Sequence, residues 1–179
     1  MILRSLLPDK QDGFYVDVGA YQPKRFSNTY HFYQRGWRGI NIDATPGAMS
    51  LFNKQRSRDT NLEIAVSSEP QNLTFYMFNE PAVNTFDSDL AEERRQPGKY
   101  VMVGQVTIAT RRLDDILDEY LPPGQQIDIL AIDVEGYDMQ VLLSNDWKRY
   151  RPSLVLIEDA YIKSGESGLD AAAFLADKG

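Results

Sequence analysis

The sequence has no cysteine and only one histidine, His31. The lack of cysteine excludes disulfide bonds, cysteine-bound zinc and thiol nucleophiles. No apolar run approaches the ~18 residues that a membrane-spanning helix needs. The short start of the chain is unlike a signal peptide and offers no small-residue cleavage site, so a cytoplasmic location is the default expectation.

Positive charge is also scarce, because 19 lysines and arginines face 26 acids and give a net charge of −7. Nucleic-acid-binding proteins usually carry a basic stripe, and the pairs Arg94-Arg95 and Arg111-Arg112 are too short to provide one. We therefore expect no nucleic-acid partner. A hydrophobic content of 42% is that of a folded chain, and its length suits one domain over residues 1–179.

Strand-like and helix-like segments alternate along the chain. This alternation implies parallel strand pairing and predicts an α/β fold with a Rossmann-like, doubly wound, mostly parallel sheet. The predicted strands cover residues 13–19, 39–43, 62–67, 127–134 and 153–157, and the predicted helices cover 25–35, 45–58, 113–121 and 137–143.

The middle of the chain departs from this alternation. Residues 73–78 form a strand-like run that follows a turn, which predicts an antiparallel addition. The polar stretch 79–105 predicts a long loop with a short helix over 87–95, and residues 106–109 predict an edge strand. The chain stops after one helix-like segment beyond 153–157, so we expect a sheet that lacks the C-terminal strand pair, through truncation or by nature.

Two carboxylates mark a candidate ligand site. Gly19 ends the first predicted strand and Asp43 ends the second, 24 residues later. Ligands of parallel α/β sheets bind at the carboxyl ends of the strands, and this spacing suits a carboxylate that accepts the hydroxyls of an adenosine ribose. Asp17 precedes the glycine and favours a ligand with a positive amino group, as methionine has. The alternative, that both acids only cap turns, stays open.

The loop after Gly19 is not the fingerprint of a dinucleotide site. A pyrophosphate needs close backbone approach to a helix N-terminus, yet this loop has no further glycine, and Tyr21 and Pro23 crowd the space. Asp17 would also repel phosphates. An NAD-dependent oxidoreductase is therefore the less favoured alternative, and a non-catalytic nucleotide-binding module is a third.

A second group of acids follows the most apolar predicted strand. Asp133 and Glu135 point to the same side of an extended segment, and Glu158 and Asp159 end the next strand. Converging carboxylates raise each other's pKa and prepare a general base, or they hold a divalent cation through oxygen ligands. We favour the base without a metal. Helix capping by Asp133 or Glu135 is the structural alternative.

These motifs together resemble the FkbM-type methyltransferase family. The similarity extends over about residues 14–159, and its most specific part is the Asp-Val-Glu-Gly element at 133–136. The residues that carry the similarity are the runs 16–20, 25–30, 36–43, 113–117 and 132–142.

The resemblance implies an O-methyltransferase that uses S-adenosylmethionine (SAM) as cofactor and acts on a hydroxyl of a glycan or small metabolite. It also implies the role of each site residue. Asp133 lies beside the transferred methyl group and, with Glu135, forms the catalytic pair. The cofactor-binding residues are Asp17 and Gly19 at the methionine end, Asp43 at the ribose, Val66 and Ser67 at the adenine, and Ala20, Tyr21, Asn28 and Ala44 around them.

Several other polar residues have two interpretations. His31 is expected to pack in an aromatic helix, with general-base catalysis as the alternative. Asn28 either caps that helix or contacts the methyl donor. The run 84–86 forms a turn or lines the acceptor site, and the pair Arg94-Arg95 is expected at a solvated helix end, unless it faces the cleft and binds an acidic sugar or a phosphate.

Overall fold

The computed structural model describes residues 10–158 and 171–178. Its main sheet has five parallel strands in the order β3-β2-β1-β7-β8. The order reverses beside β1, as the doubly wound sheet requires, so the predicted Rossmann-like α/β fold is confirmed. The strands are β1 (Phe14–Val18), β2 (Arg38–Asp43), β3 (Thr60–Glu63), β7 (Ile129–Ile132) and β8 (Leu154–Ile157).

A second sheet of three strands has the order β4-β6-β5 and consists of β4 (Ala65–Val66), β5 (Asn72–Phe78) and β6 (Met102–Arg111). The predicted antiparallel strand over 73–78 is confirmed, because β5 runs antiparallel to β6. The predicted edge strand over 106–109 is wrong: β6 has ten residues and is the central strand of its sheet.

The predicted single strand over 62–67 is also wrong, because it breaks at Ile64. The amide of Ile64 donates to the carbonyl of Asp43 (3.1 Å) and still follows the main sheet. The next two residues, β4, pair with Thr110 and Arg111 of β6. The chain therefore passes from one sheet to the other at the edge where the strands of the main sheet end.

Two predicted helices begin later than their patterns indicate. Residues 25–29 form a loop in which Phe26 has a left-handed backbone (φ 57°), and Gly47 (φ 83°) interrupts the start of the second helix. None of the described helices exceeds eight residues, so none could cross a membrane. The helices are α1 (Tyr30–Gln34), α2 (Met49–Gln55), α3 (Ser88–Arg94), α4 (Leu113–Tyr120), α5 (Asp138–Leu143) and α6 (Ala171–Lys178).

The alternating side chains of β1 supply both faces of the core. Phe14, Val16 and Val18 pack in the cluster that contains α4 and α5, whereas Tyr15 packs with Trp37 and its neighbours below α1. No strand follows β8 among the described residues. The predicted lack of a final strand pair stays a prediction, since residues 159–170 lie outside them.

Candidate functional site

A cavity that is open to solvent lies at the carboxyl ends of β1, β2 and β7. This is the edge where the strand order reverses, and where parallel α/β sheets bind their ligands. The segment 81–86 covers the cavity from the side of the second sheet. Seven of the predicted site residues line it: Gly19, Tyr21, Asp43, Ala44, Val66, Asp133 and Glu135.

Gly19 lets two strand ends approach each other closely. Its φ is +84°, and a β-carbon at this position would lie 1.7 Å from the carbonyl oxygen of Asp133. The amides of Gly19 and Ala20 both donate to the carbonyl of Ile42, at 2.9 and 3.1 Å. The turn after β1 is thereby fixed between β2 and the turn after β7. Ala20 itself packs on Phe52 of α2 and does not line the cavity.

Asp43 takes the capping role that the sequence left open, and its contact with a ribose stays a prediction. One carboxylate oxygen accepts the amide of Tyr21 (2.9 Å) and the other accepts the amide of Thr45 (2.7 Å), so the side chain caps the turns around it. It also lines the cavity. The Thr45 hydroxyl also donates to Asp43, so about one of the roughly four acceptor sites of an ionised carboxylate is left for a ligand hydroxyl. A diol that donates twice would displace the Thr45 hydroxyl. Burial raises the pKa of Asp43, and such a diol would favour its ionised form.

Asp17 is buried but is not among the residues that line the cavity. It accepts a hydrogen bond of 2.6 Å from the hydroxyl of Thr29. Burial raises the pKa of Asp17 to about 6, opposed by this hydrogen bond and by the positive charge of Arg56. Its predicted contact with the methionine end of the cofactor therefore stays a prediction.

Sequence reasoning missed Arg56, which is fully buried below the cavity. Its guanidinium donates to Asp59 (2.9 Å), to the hydroxyl of Tyr15 (2.7 Å) and to Thr29 (3.0 Å). The hydroxyl of Thr29 in turn donates a hydrogen bond to Asp17, so Arg56 and Asp17 belong to one network. No local pattern indicates this network, because Arg56 closely follows Lys54 in a polar helix end.

Asn28 and Ser67 are not among the residues that line the cavity. The expected cap by Asn28 is wrong: the hydroxyl of Ser27 accepts the amide of Tyr30 (3.0 Å) at the start of α1. Ser67 is fully buried, and its hydroxyl accepts a hydrogen bond from Gln71 (3.2 Å). Cofactor contacts of Asn28 and Ser67 stay predictions.

The Asp-Val-Glu-Gly element forms a turn between β7 and α5. Glu135 (φ 54°) and Gly136 (φ 92°) both have left-handed backbones. Asp138 stabilises the turn, because its carboxylate accepts the amides of Val134 (3.1 Å) and Gly136 (3.2 Å). Helix capping by Asp133 or Glu135 is therefore wrong: α5 begins after Tyr137 without a side-chain cap, and Asp138 stabilises the turn before the helix.

Three carboxylates converge beside this turn. Asp133, Glu135 and Glu158 each offer an oxygen, and these oxygens all lie within 4.8 Å of one another. Burial, and after it the negative charges of Glu158 and Glu135, raise the pKa of Asp133 to about 7. Such a cluster is suited to a carboxyl group that exchanges a proton near neutral pH or to a cation with oxygen ligands. Asp159, the fourth predicted member, lies outside the described residues.

Arg94 is the second functional candidate that the sequence did not reveal. The expectation of a solvated helix end is wrong for Arg94, because its side chain is only 5% exposed and forms an ion pair with Glu135. It also donates to the carbonyl of Val83 (2.6 Å). Arg95 is exposed, as expected. A buried cation cannot be read from one sequence, since its partner lies 41 positions away.

The run 84–86 supplies the cavity's outer wall. Asn84 and Phe86 line the cavity, and the Phe86 ring lies 4.6 Å from that of Phe75 and 5.7 Å from that of Tyr137. The hydroxyl of Thr85 donates to the carbonyl of Glu135 (2.7 Å). These residues thus join the second sheet to the acidic turn. His31, by contrast, packs edge-on against its neighbour Phe32 and is not among the lining residues.

Comparison with known proteins agrees with this architecture. The Methyltransferase FkbM domain matches residues 17–179. "Methyltransferase sdnD" from Sordaria araneosa is 31% identical over 109 residues, which are 56% of this chain and 39% of that relative. The chain thus spans less than half the length of this curated relative, and no solved structure matches it. Because the family's domain extends over nearly the whole sequence, the chain belongs to the FkbM family of methyltransferases.

Proposed function

We propose that the protein is a SAM-dependent O-methyltransferase and that its acceptor is a hydroxyl of a glycan or small metabolite. The observation that carries this proposal is the position of Asp133. Its carboxyl has a pKa near neutrality and lines the same cavity as Gly19 and Asp43. Proton acceptor and candidate cofactor residues are therefore adjacent.

The residues around the cavity fit the cofactor. Asp43 lines the cavity and can accept one ribose hydroxyl directly and a second in place of the Thr45 hydroxyl. Gly19 leaves the end of β1 without a side chain. Ala44 and Val66 provide small or apolar surface for the adenine, beside Tyr21. When bound, SAM supplies an electrophilic methyl group.

The protein's own contribution is to orient the acceptor and remove its proton. Asp133 accepts the hydroxyl proton as the oxygen attacks, and general-base assistance of this kind is worth about 10²–10⁴ in rate. Glu158 lies close enough to take part in sharing that proton. Asn84 and Phe86 on the outer wall hold the acceptor's ring or chain, so that its oxygen reaches Asp133.

The charge of the cluster also favours one class of acceptor. Three carboxylates and one arginine meet at the acidic turn, which repels phosphorylated or carboxylated acceptors. Neutral polyols, sugars and phenols have no such penalty. A hydroxyl is also the group that needs a base, because its proton must leave during transfer.

Calorimetric titration with S-adenosylhomocysteine (SAH), and in parallel with NAD, tests the proposal. We expect heat of binding with SAH and none with NAD. Transfer of a labelled methyl group from SAM is then measured over a panel of sugars, phenols and amines. Binding of NAD alone would favour the oxidoreductase, and SAH binding with no transfer to any acceptor would favour the non-catalytic module.

A further inference from the structure

Positive charge is concentrated in one part of this acidic chain. Residues 20–58 contain seven lysines and arginines and one acid, a net charge of +6, whereas the remaining residues carry −13. This part contains the loop after β1, α1 and α2, and both helices lie on the Tyr15 side of the sheet. The positive charges of the loop, α1 and α2 therefore lie on the Tyr15 side of the sheet.

Several of these cations share a surface with one exposed and two half-buried aromatic rings, which we call the α1 surface (Lys24, Arg25, Phe26, Tyr30, Tyr33 and Arg58). The guanidinium of Arg58 lies 3.9 Å from the centre of the Tyr33 ring, and Tyr33 stacks on Tyr30. The ammonium of Lys24 lies 5.9 Å from the Tyr30 ring. These contacts form a continuous row along α1.

The row ends at Phe26, which is 75% exposed. Its φ of 57° lies in the left-handed region, which is unfavourable for a side chain with a β-carbon. The guanidinium of Arg25 lies 4.6 Å from its ring. The loop thus exposes an aromatic ring beside a cation instead of burying it.

The cations of this surface form no ion pairs. Within residues 10–158 and 171–178, no carboxylate lies within salt-bridge distance of Lys24, Arg25 or Arg58. Glu80 interacts with Arg25 only at longer range, and aromatic faces, which carry no net charge, occupy part of the surroundings of all three cations. An anionic partner would supply the missing charge.

We propose that the α1 surface docks on an anionic lipid bilayer. Lysine and arginine beside a membrane gain about 1 kcal/mol each from acidic headgroups, and aromatic rings favour the level of the headgroups. Leu51 of α2, on the same side of the sheet, is 43% exposed. An aliphatic side chain gains free energy in lipid and gains none from base stacking, which favours a bilayer over a nucleic acid.

The position of the loop connects this docking to the cavity. Tyr21, which lines the cavity, donates its hydroxyl to Glu80 (2.7 Å), and the charge of Arg25 acts on both groups. The loop that carries Phe26 is therefore also the loop that borders the cavity. Docking through Phe26 would therefore bring Tyr21, and the part of the cavity that it lines, towards the membrane.

Co-sedimentation with vesicles tests the proposal without using enzyme activity. The whole chain is mixed with vesicles of phosphatidylcholine alone, or with vesicles that also contain phosphatidylglycerol, at low and at high salt. We expect binding to the mixed vesicles, release by salt, and no binding to phosphatidylcholine alone. Lys24→Ala and Arg58→Ala should each lower the partition coefficient about fivefold, and Phe26→Ala should lower it at least as much.

Matched variants outside the α1 surface control for general loss of charge or apolar area. Lys99→Ala removes an exposed cation and Val103→Ala trims a side chain that is 63% exposed; both should sediment as the unchanged protein does. Equal effects of Phe26→Ala and Val103→Ala would overturn the proposal. So would absence of binding to the mixed vesicles, or tighter binding of a labelled oligonucleotide. None of these outcomes depends on SAH binding, so the proposed methyltransferase activity is tested separately.

Discussion

Arg94 and Glu135 form a largely buried ion pair that joins the segment over the cavity to the acidic turn. The pair is supported on both sides: Arg94 also donates to Val83, and the carbonyl of Glu135 accepts the Thr85 hydroxyl. The left-handed backbone of Glu135 is thereby held from the side chain and from the main chain. Asp133, two residues earlier, takes its position from the same turn.

Removal of Arg94 should destabilise the protein and misplace Asp133. Arg94→Met leaves Glu135 without its partner in a largely buried position, which costs about 3 kcal/mol in the free energy of unfolding. We expect kcat to fall more than SAH affinity. Urea denaturation and calorimetry measure the two effects. Arg94→Lys should recover part of both, and Arg95→Met, at an exposed neighbour, should change neither; equal losses in the two methionine variants would contradict this role.

Asp43 should determine cofactor affinity. Asp43→Ala removes the acceptor of two ribose hydroxyls, and the loss of such partners in a buried site costs about 1–3 kcal/mol. We expect SAH to bind correspondingly more weakly in calorimetry. Because Asp43 also accepts the amides of Tyr21 and Thr45, circular dichroism must show that the variant is folded. Asp115→Asn, an exposed acid on α4, serves as the control, and unchanged affinity in folded Asp43→Ala would remove Asp43 from the ribose site.

Asp133 should control the rate and its pH dependence. With a pKa of about 7, its carboxylate is depleted as the pH falls through 7, so kcat should decline there. Asp133→Asn should reduce kcat by about 10²–10⁴ and leave SAH affinity nearly unchanged. Equal loss of rate and affinity would instead make Asp133 a binding residue.

The same pKa predicts how stability depends on pH. Folding raises the pKa of Asp133 from 3.8 to about 7, so the folded state holds this proton more tightly than the unfolded state. Stability from this group is therefore complete below pH 4 and is lost as the pH rises through 7. We expect Asp133→Asn, which cannot ionise, to gain stability relative to the unchanged protein between these limits. The free energy of unfolding of both proteins is measured by urea denaturation between pH 4 and pH 7. If the difference between the two proteins stays constant over this range, Asp133 is not the group that titrates.

The parts of the site that could be predicted are those set by strand ends. Buried strands end at or directly before Gly19, Asp43 and Asp133. Parallel strands bring their ends to one edge of the sheet, regardless of the distance between them in the sequence. Arg94 and Arg56 could not be predicted, because their burial depends on partners that tertiary packing supplies. Nothing in the run 62–67 marks a break at Ile64, so the separation of its two halves into two sheets is likewise a tertiary effect.

Removal of divalent cations tests whether a metal ion, or Arg94 and a proton, neutralises the carboxylate cluster. Arg94 already compensates Glu135, and the raised pKa of Asp133 allows one proton between Asp133 and Glu158 at neutral pH. Together, the arginine and the proton neutralise most of the negative charge of the cluster, so no metal ion is needed for this purpose. We therefore expect methyl transfer to continue after EDTA treatment and dialysis. Oxygen-only ligands would prefer Mg²⁺ or Ca²⁺ to zinc, so both are added back in parallel. If EDTA abolishes transfer and Mg²⁺ restores it, Asp133 and Glu158 act as ligands and the base must be sought elsewhere.

The variant Glu158→Gln distinguishes the two cases further. If Asp133 and Glu158 share a proton, the variant should lower the pH at which the rate declines. If Glu158 is a metal ligand, the variant should raise the Mg²⁺ concentration that transfer requires.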